Sequence, residues 1–228
     1  MSLSRECKKI KERKLRADAL LVELKKIIPQ SEHTTSDLTY WKNPWELLVA
    51  VILSAQCTDK RVNIVIEKLF KKYKTIEDYA HAPQEEFEQD IFSTGFYKNK
   101  AKNIIAAANK VLADFGGVIP ETLAELITIP GAARKTANVV LGNAFGKMEG
   151  IAVDTHVKRF AIRFNLTDNK TPEKIEQDLM KLFHKKDWFI VSNLMIQYGR
   201  RIAPAKRYDT SLDPLVKLYP PAGEVFRV

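Results

Sequence analysis

Residues 126–140 read LITIPGAARKTANVV, and residues 152–156 follow as AVDTH. The first stretch predicts a short helix, a tight turn at Pro130 and Gly131, and a second helix that opens at residues 133–135. Lys135 then sits where the positive end of a helix points outward, and Asp154 follows at the start of the next helix. A helix N-terminus presents free backbone N–H groups, which suit a phosphate. An amine held there can attack carbon. Phosphate grip, amine nucleophile and carboxylate together point to chemistry on a nucleic-acid sugar.

Outward from this stretch, helical periodicity dominates. Residues 15–28 carry Leu20, Leu21, Leu24, Ile27 and Ile28 on one stripe, ended by Pro29. Residues 30–43 are a polar connector. Pro44 starts a run, WELLVAVILSA over 45–55, that is apolar almost all round and so predicts a helix buried on most sides. Asp59 is expected to cap the next helix, with Val62, Val65, Ile66 and Leu69 inward. Residues 75–92 predict two short helices broken at Pro83, and residues 99–115 a long one closed by Gly116 and Gly117. A helix pair over 121–145, a helix opening at Pro172 and another over 188–198 complete the pattern. From Ala203 onward the periodicity lapses, and Pro204, Pro214, Pro220 and Pro221 predict irregular structure. No strand pattern or tandem repeat stands out, so the expected fold class is all-α.

The chain has 228 residues, 45% hydrophobic and 29% charged, enough for one large domain or two small lobes. Its net charge is +9, which favours an anionic partner. Residues 1–16 hold seven basic residues against Glu6 and Glu12 and so supply +5 of that surplus. Binding therefore depends on where the charges sit, and the basic segment is expected to add non-specific, salt-sensitive affinity for nucleic acid. Cys7 and Cys57 are the only cysteines, too few for a four-cysteine metal site. No apolar run is long enough to cross a membrane, and the N-terminus lacks a secretory signal. The expected location is intracellular, in the cytoplasm or nucleoid.

Four segments, in order, resemble one family. Residues 53–59 (LSAQCTD) match an LSAQ-x-TD segment, residues 95–101 (GFYKNKA) a G-[LF]-Y-x-x-K-A loop, residues 129–140 (IPGAARKTANVV) an LPGVGRKTANVV hairpin, and residues 152–156 an AVDTH sequence. On these the chain is identified as a member of the endonuclease III family of helix-hairpin-helix DNA glycosylases, over residues 17 to about 202. The resemblance implies two helical lobes with a DNA-binding cleft between them. Residues 37–148 would form a barrel bearing the hairpin; residues 1–36 would join 149–228 in the second lobe. It implies a bifunctional enzyme that extrudes an oxidised or saturated pyrimidine from double-stranded DNA and removes it. Lys135 would be the nucleophile and form an imine with the sugar, and Asp154 the carboxylate beside it. Gln56 would fill the gap left by the extruded base, and Phe96 would wedge between bases. Gly131, Ala133, Arg134, Thr136 and His156 would meet the DNA backbone, and Lys98 and Lys100 would flank the wedge within reach of phosphate. Carbonyls near Ile127, Ile129 and Ala132 would hold a monovalent cation. The protein would act as a monomer.

Two departures stand out. Ala133 replaces the hairpin's second glycine, whose lack of a side chain lets the backbone approach a phosphate closely. The family's iron–sulfur loop, spaced C-x6-C-x2-C-x5-C, falls on Ala203, Thr210, Asp213 and Tyr219, so no cluster is expected. Leu212, Leu215, Val216 and Leu218 are expected to pack in its place, with Lys206 and Arg207 near phosphate. Two other functions compete: a monofunctional glycosylase removing a mismatched adenine, thymine or uracil with Asp154 and water, and a catalytically silent DNA-binding scaffold. Lys135 argues against the first; Ala133 and the absent cysteines favour the second.

Overall fold

The computed structural model describes residues 2–30 and 38–226, and side chains from Glu6 onward. Among the described residues every regular element is a helix and no strand forms. Two compact units emerge, one from Ser36–Glu149 and one from the described parts of Met1–Thr35 and Gly150–Val228. The predicted connector over 30–43 and the boundary at 36–37 fall largely outside the described residues.

The Ser36–Glu149 unit is built around α2 (Pro44–Ser54), in which Trp45 through Leu53 are all buried. Asn43 caps it by accepting the Glu46 N–H at 2.9 Å, and Pro44 fills the first turn, where no N–H is needed. Around it lie α3 (Asp59–Lys72), α4 (Ile76–Ala80), α5 (Gln84–Ile91) and α6 (Tyr97–Phe115). The hairpin helices α7 (Leu123–Leu126) and α8 (Arg134–Phe145) complete the unit. Helices α3, α6 and α8 pack directly on α2. An aromatic cluster of Trp45, Tyr73, Tyr79 and Phe87 fills one end of the core, with ring centroids 5.2–5.8 Å apart. The cap of α3 is Thr58, which accepts the Arg61 N–H, rather than Asp59; the aspartate stands one residue inside, where its charge still suits the helix's positive end.

The other unit holds α1 (Ser2–Ile27), α9 (Thr155–Arg163), α10 (Pro172–Leu182), α11 (Trp188–Arg201) and α12 (Pro214–Leu218). Its core joins Leu20 and Leu24 of the first helix, and Ile28 just after it, to Val157, Phe160, Phe164, Leu179, Leu194 and Tyr198. Helix α1 begins well before residue 15, because its polar first half is tied down by charge. Arg13 donates to the Asn165 carbonyl and side chain and to Asp168; Arg16 donates to the Phe164 and Asn165 carbonyls; Lys9 pairs with Asp168. The two arginines satisfy orphaned carbonyls at the C-terminus of α9, where Asn165 turns to a φ of 48°. Three charges expected to serve nucleic acid are thus engaged within the fold.

Candidate active site and nucleic-acid interface

The hairpin turns where the sequence predicts. Gly131 has a φ of 80°, open to glycine at little cost, and a Cβ there would come within 3.1 Å of Ile52 and 3.2 Å of Asn103. Glycine therefore suits the conformation, and any side chain there would press on both neighbours. Leu126, Ile129 and Ala132 are buried in the core of this unit, whereas Ile127 is exposed. Ala133 is the N-cap of α8 with φ −60° and ψ 162°, ordinary extended backbone. The methyl group therefore adds no conformational strain. Alanine also offers no side-chain acceptor, so the first N–H groups of α8 receive no side-chain cap.

Lys135 occupies the second position of α8 and is exposed. Among the described residues it forms no ion pair, so its amine is not tied up in a salt link. Thr136 lines a cavity of about 200 Å³ together with Gly131, Gln56 and Phe96. Gln56 and Phe96 share an unusual property: both are non-glycine residues in the left-handed region, at φ 53° and 49°. Such conformations are unfavourable and persist where surrounding structure enforces them, often at functional positions. Phe96 is 66% exposed, which excludes a core role, while Tyr97 beside it is half-buried with its ring centroid 4.8 Å from that of Phe92. Lys98 is exposed, but Lys100 is buried and donates to two backbone carbonyls, which corrects its expected place at a phosphate.

Asp154 and His156 lie in the other unit. Asp154 is the N-cap of α9, and its Oδ1 accepts the N–H groups of His156 at 2.8 Å and Val157 at 2.9 Å. That oxygen is committed to the helix, which fixes the direction of the other. His156 is half-buried, with Nδ1 3.3 Å from Arg159 Nη2. Arg159 is itself buried and donates to the carbonyls of Ala203 at 2.8 Å and Gly199 at 3.3 Å. A separate cavity of about 770 Å³ lies against α1, lined by Lys9, Arg13, Asp168 and Asp178, and takes in none of the predicted residues.

The sequence matches the family described as HhH-GPD superfamily base excision DNA repair protein over residues 49–185. It is 47% identical over 200 residues to endonuclease III of Synechocystis sp., covering 88% of this chain and 90% of that one. Against endonuclease III of Bacillus subtilis it is 44% identical over 196 residues, covering 86% and 89%. The chain belongs to the endonuclease III family. Among solved structures it resembles a non-covalent endonuclease III–DNA complex at 40% identity and a TM-score of 0.85, covering 92% of this chain and 97% of that one. It resembles a trapped endonuclease III–DNA covalent intermediate at 40% identity and a TM-score of 0.86, covering 94% and 99%.

Endonuclease III proteins usually carry an iron–sulfur cluster near the C-terminus, and here the donor set does not fit one. The positions in the cysteine frame are Ala203, Thr210, Asp213 and Tyr219; Cys7 is on α1 and Cys57 in the other unit. Among the described residues no group of three or more His, Cys, Asp or Glu side chains could hold a metal. A polar knot lies at these positions. Asp213, 1% exposed, accepts from the hydroxyls of Tyr198 and Tyr208 through Oδ2 and from the Leu215 N–H through Oδ1, capping α12. Arg163, 2% exposed, donates to the Tyr208 hydroxyl at 3.0 Å and twice to the Ala222 carbonyl. Burial, and then the bond to Asp213, pushes the Tyr198 and Tyr208 hydroxyls well above the ordinary tyrosine range. The tail is thus more ordered than its prolines predict. Of the four apolar residues expected to fill the gap, Leu215 is buried and Val216 half-buried, but Leu212 and Leu218 face outward. Sequence reading missed Arg159, Arg163 and Asp213; the pair Asp213 and Pro214, a capping residue before a first-turn proline, was the available signal.

Proposed function

We propose that the protein is a base-excision repair DNA glycosylase with abasic-site lyase activity, acting on oxidised or saturated pyrimidines in duplex DNA. The observation that carries this reading is the exposed amine of Lys135, without an ion pair among the described residues, at a helix N-terminus without a side-chain cap. The trapped covalent intermediate of a 40% identical endonuclease III supports it.

Backbone N–H groups of the hairpin turn and the first turn of α8 receive a DNA phosphate, helped by Arg134 and the Thr136 hydroxyl. Lys135 Nζ attacks C1′ of the deoxyribose, the C1′–N bond breaks, and its electron pair leaves with the base, which takes up a proton. Ring opening and loss of a proton from nitrogen give an imine between Nζ and C1′. The imine withdraws electrons, so C2′ loses a proton, a C2′–C3′ double bond forms, and the C3′–O bond breaks. Water then hydrolyses the imine and returns the free amine. Asp154 Oδ2 stabilises positive charge developing on the sugar and moves protons, while Oδ1 keeps the side chain aimed. Gln56 occupies the gap left by the base, Phe96 keeps its neighbours unstacked, and His156 meets the backbone.

The reading includes no iron–sulfur cluster; the Asp213 knot does the structural work in that region. A monovalent cation on the carbonyls of Ile127, Ile129 and Ala132 would add positive charge beside the phosphate. Action on chromosomal DNA places the protein in the cytoplasm or nucleoid, working as a monomer.

Borohydride reduction on a duplex with one oxidised pyrimidine tests the reading. A covalent adduct is expected with this protein and none with Lys135→Gln. Base release without an adduct would support water as nucleophile, and binding alone would support a silent scaffold.

A further inference from the structure

Lys100 belongs to the first turn of α6 and is only 4% exposed, with no carboxylate paired to it among the described residues. A buried ammonium is costly unless its N–H groups are satisfied. Here Nζ donates to the Leu53 carbonyl at 2.8 Å and to the Thr94 carbonyl at 2.9 Å. Each carbonyl lies just before a backbone reversal. In a continued α2 helix the Leu53 carbonyl would accept the Cys57 N–H; because Gln56 turns to φ 53°, that N–H goes to Ser54 instead, and Leu53 is left for Lys100. Thr94 immediately precedes Gly95 and Phe96, at φ 69° and 49°. The negative end of α2 favours a cation at this point, which offsets the burial that lowers the lysine's affinity for its proton.

We propose that Lys100 is a positioning residue: one ammonium ties the end of α2 to the entry of α6 and so fixes the spacing of Gln56 and Phe96. The proposal rests on the glycosylase reading, in which those two side chains enter the duplex together. Both line the same cavity as Lys100, beside Gly131 and Thr136. Strained turns of this kind relax when the contacts that enforce them are removed. Without the tie, the gap-filling and wedging groups lose their common register. The attack by Lys135 does not pass through Lys100, so the cost falls on base extrusion.

The test compares two substrates. Lys100→Met keeps an unbranched stem and removes the donors. Its single-turnover rate on a duplex with one oxidised pyrimidine is expected to fall about tenfold or more. Cleavage of a single-stranded oligonucleotide with one abasic site, which has no stacked base to extrude and no orphaned partner, should change by less than about twofold. Lys100→Arg, which restores charge and donors, should recover most of the duplex rate. Added to a Gln56→Ala, Phe96→Ala background, Lys100→Met should cost nothing further. Equal loss on both substrates, an unchanged duplex rate, or an additive loss in that background would each overturn the proposal. If Lys100→Met does not fold, Lys100→Gln, which retains a donor, carries the same comparison. Failure of the unaltered protein to form the borohydride adduct would sink the glycosylase reading; an adduct without the substrate-dependent loss would sink the tie alone.

Discussion

The ring of His156 occupies the space that a side chain at residue 199 would need. A Cβ on Gly199 would lie 2.5 Å from His156 Nδ1 and 3.1 Å from Arg159 Nη2. Gly199 thus lets α11 pass close to α9, with the histidine held against it. Gly199→Ala is expected to destabilise the protein by about 1–3 kcal/mol through overpacking. It should also weaken DNA binding by displacing His156. Urea unfolding midpoints and DNA titrations check both; unchanged values would mean that the ring shifts freely.

Asp154 Oδ1 caps α9, and the proposed mechanism uses the charge on Oδ2, so the two can be tested separately. Asp154→Asn keeps an acceptor for the His156 and Val157 N–H groups and should leave stability nearly unchanged. Asp154→Ala removes the cap and should cost about 1 kcal/mol. Both should lose about a hundredfold or more in single-turnover base removal, since both remove the charge. Thermal unfolding and kinetics on one lesion duplex separate the effects. Full activity in Asp154→Asn would reduce the residue to a cap.

Ala133 adopts a backbone that any residue tolerates. Ala133→Gly should therefore leave DNA affinity within about twofold, because no positive φ is relieved. Ala133→Ser should stabilise the protein by about 1 kcal/mol by capping α8, and weaken phosphate binding by competing for the same N–H groups. Affinity measured at two salt concentrations would show it. A large gain in affinity for Ala133→Gly would contradict the conformation described here.

Alkaline titration should expose the two aromatic cores. Tyr73 is pushed up to about 12, first by burial and then by its bond to Asp90. Tyr79, Tyr198 and Tyr208 are raised too, burial being the main cause. A group whose folded value lies above its unfolded one, near 10, contributes stability that is complete below that value and disappears as pH rises toward the folded one. Stability should thus fall as pH climbs past about 10. Tyrosinate absorbance at that pH should be lower in the folded than in the unfolded protein, and overlapping curves would refute the burial.

The knot at Asp213 makes a prediction about metal. Purified from iron-replete cells, the protein should show no visible iron–sulfur absorption and no loss of stability with chelators. Asp213→Ala, which strands two tyrosine hydroxyls, should cost about 1–3 kcal/mol for each group left unsatisfied. Denaturant unfolding measures it; bound iron, or a negligible cost, would count against the knot as the element that holds the tail.

Local signals carried the reading of the site a long way. Pro130 and Gly131 mark a turn because of what their own backbones permit, and Gly131 adopts the positive φ that marks it. Asp154 before a helix is a cap by its own chemistry, and the run over 45–55, apolar almost all round, marks a buried helix. The errors share one cause. Lys100 reads as a surface lysine, Lys9, Arg13 and Arg16 as free basic charge, and Leu212 and Leu218 as core residues. For the lysines and arginines, a partner comes from a segment distant in the chain; for the two leucines, the packing of the tail leaves them outward.

The sequence by itself determined the helices, the turn and the chemical types at residues 135 and 154, because propensity, capping and glycine's freedom act within a few residues. Only the tertiary structure decided that an ammonium would join two carbonyls 41 residues apart in the chain, at positions 53 and 94. It also decided that one carboxylate would gather two tyrosines, at positions 198 and 208. Those contacts depend on which buried polar groups have lost water and must find each other, and that is fixed only once the helices have packed.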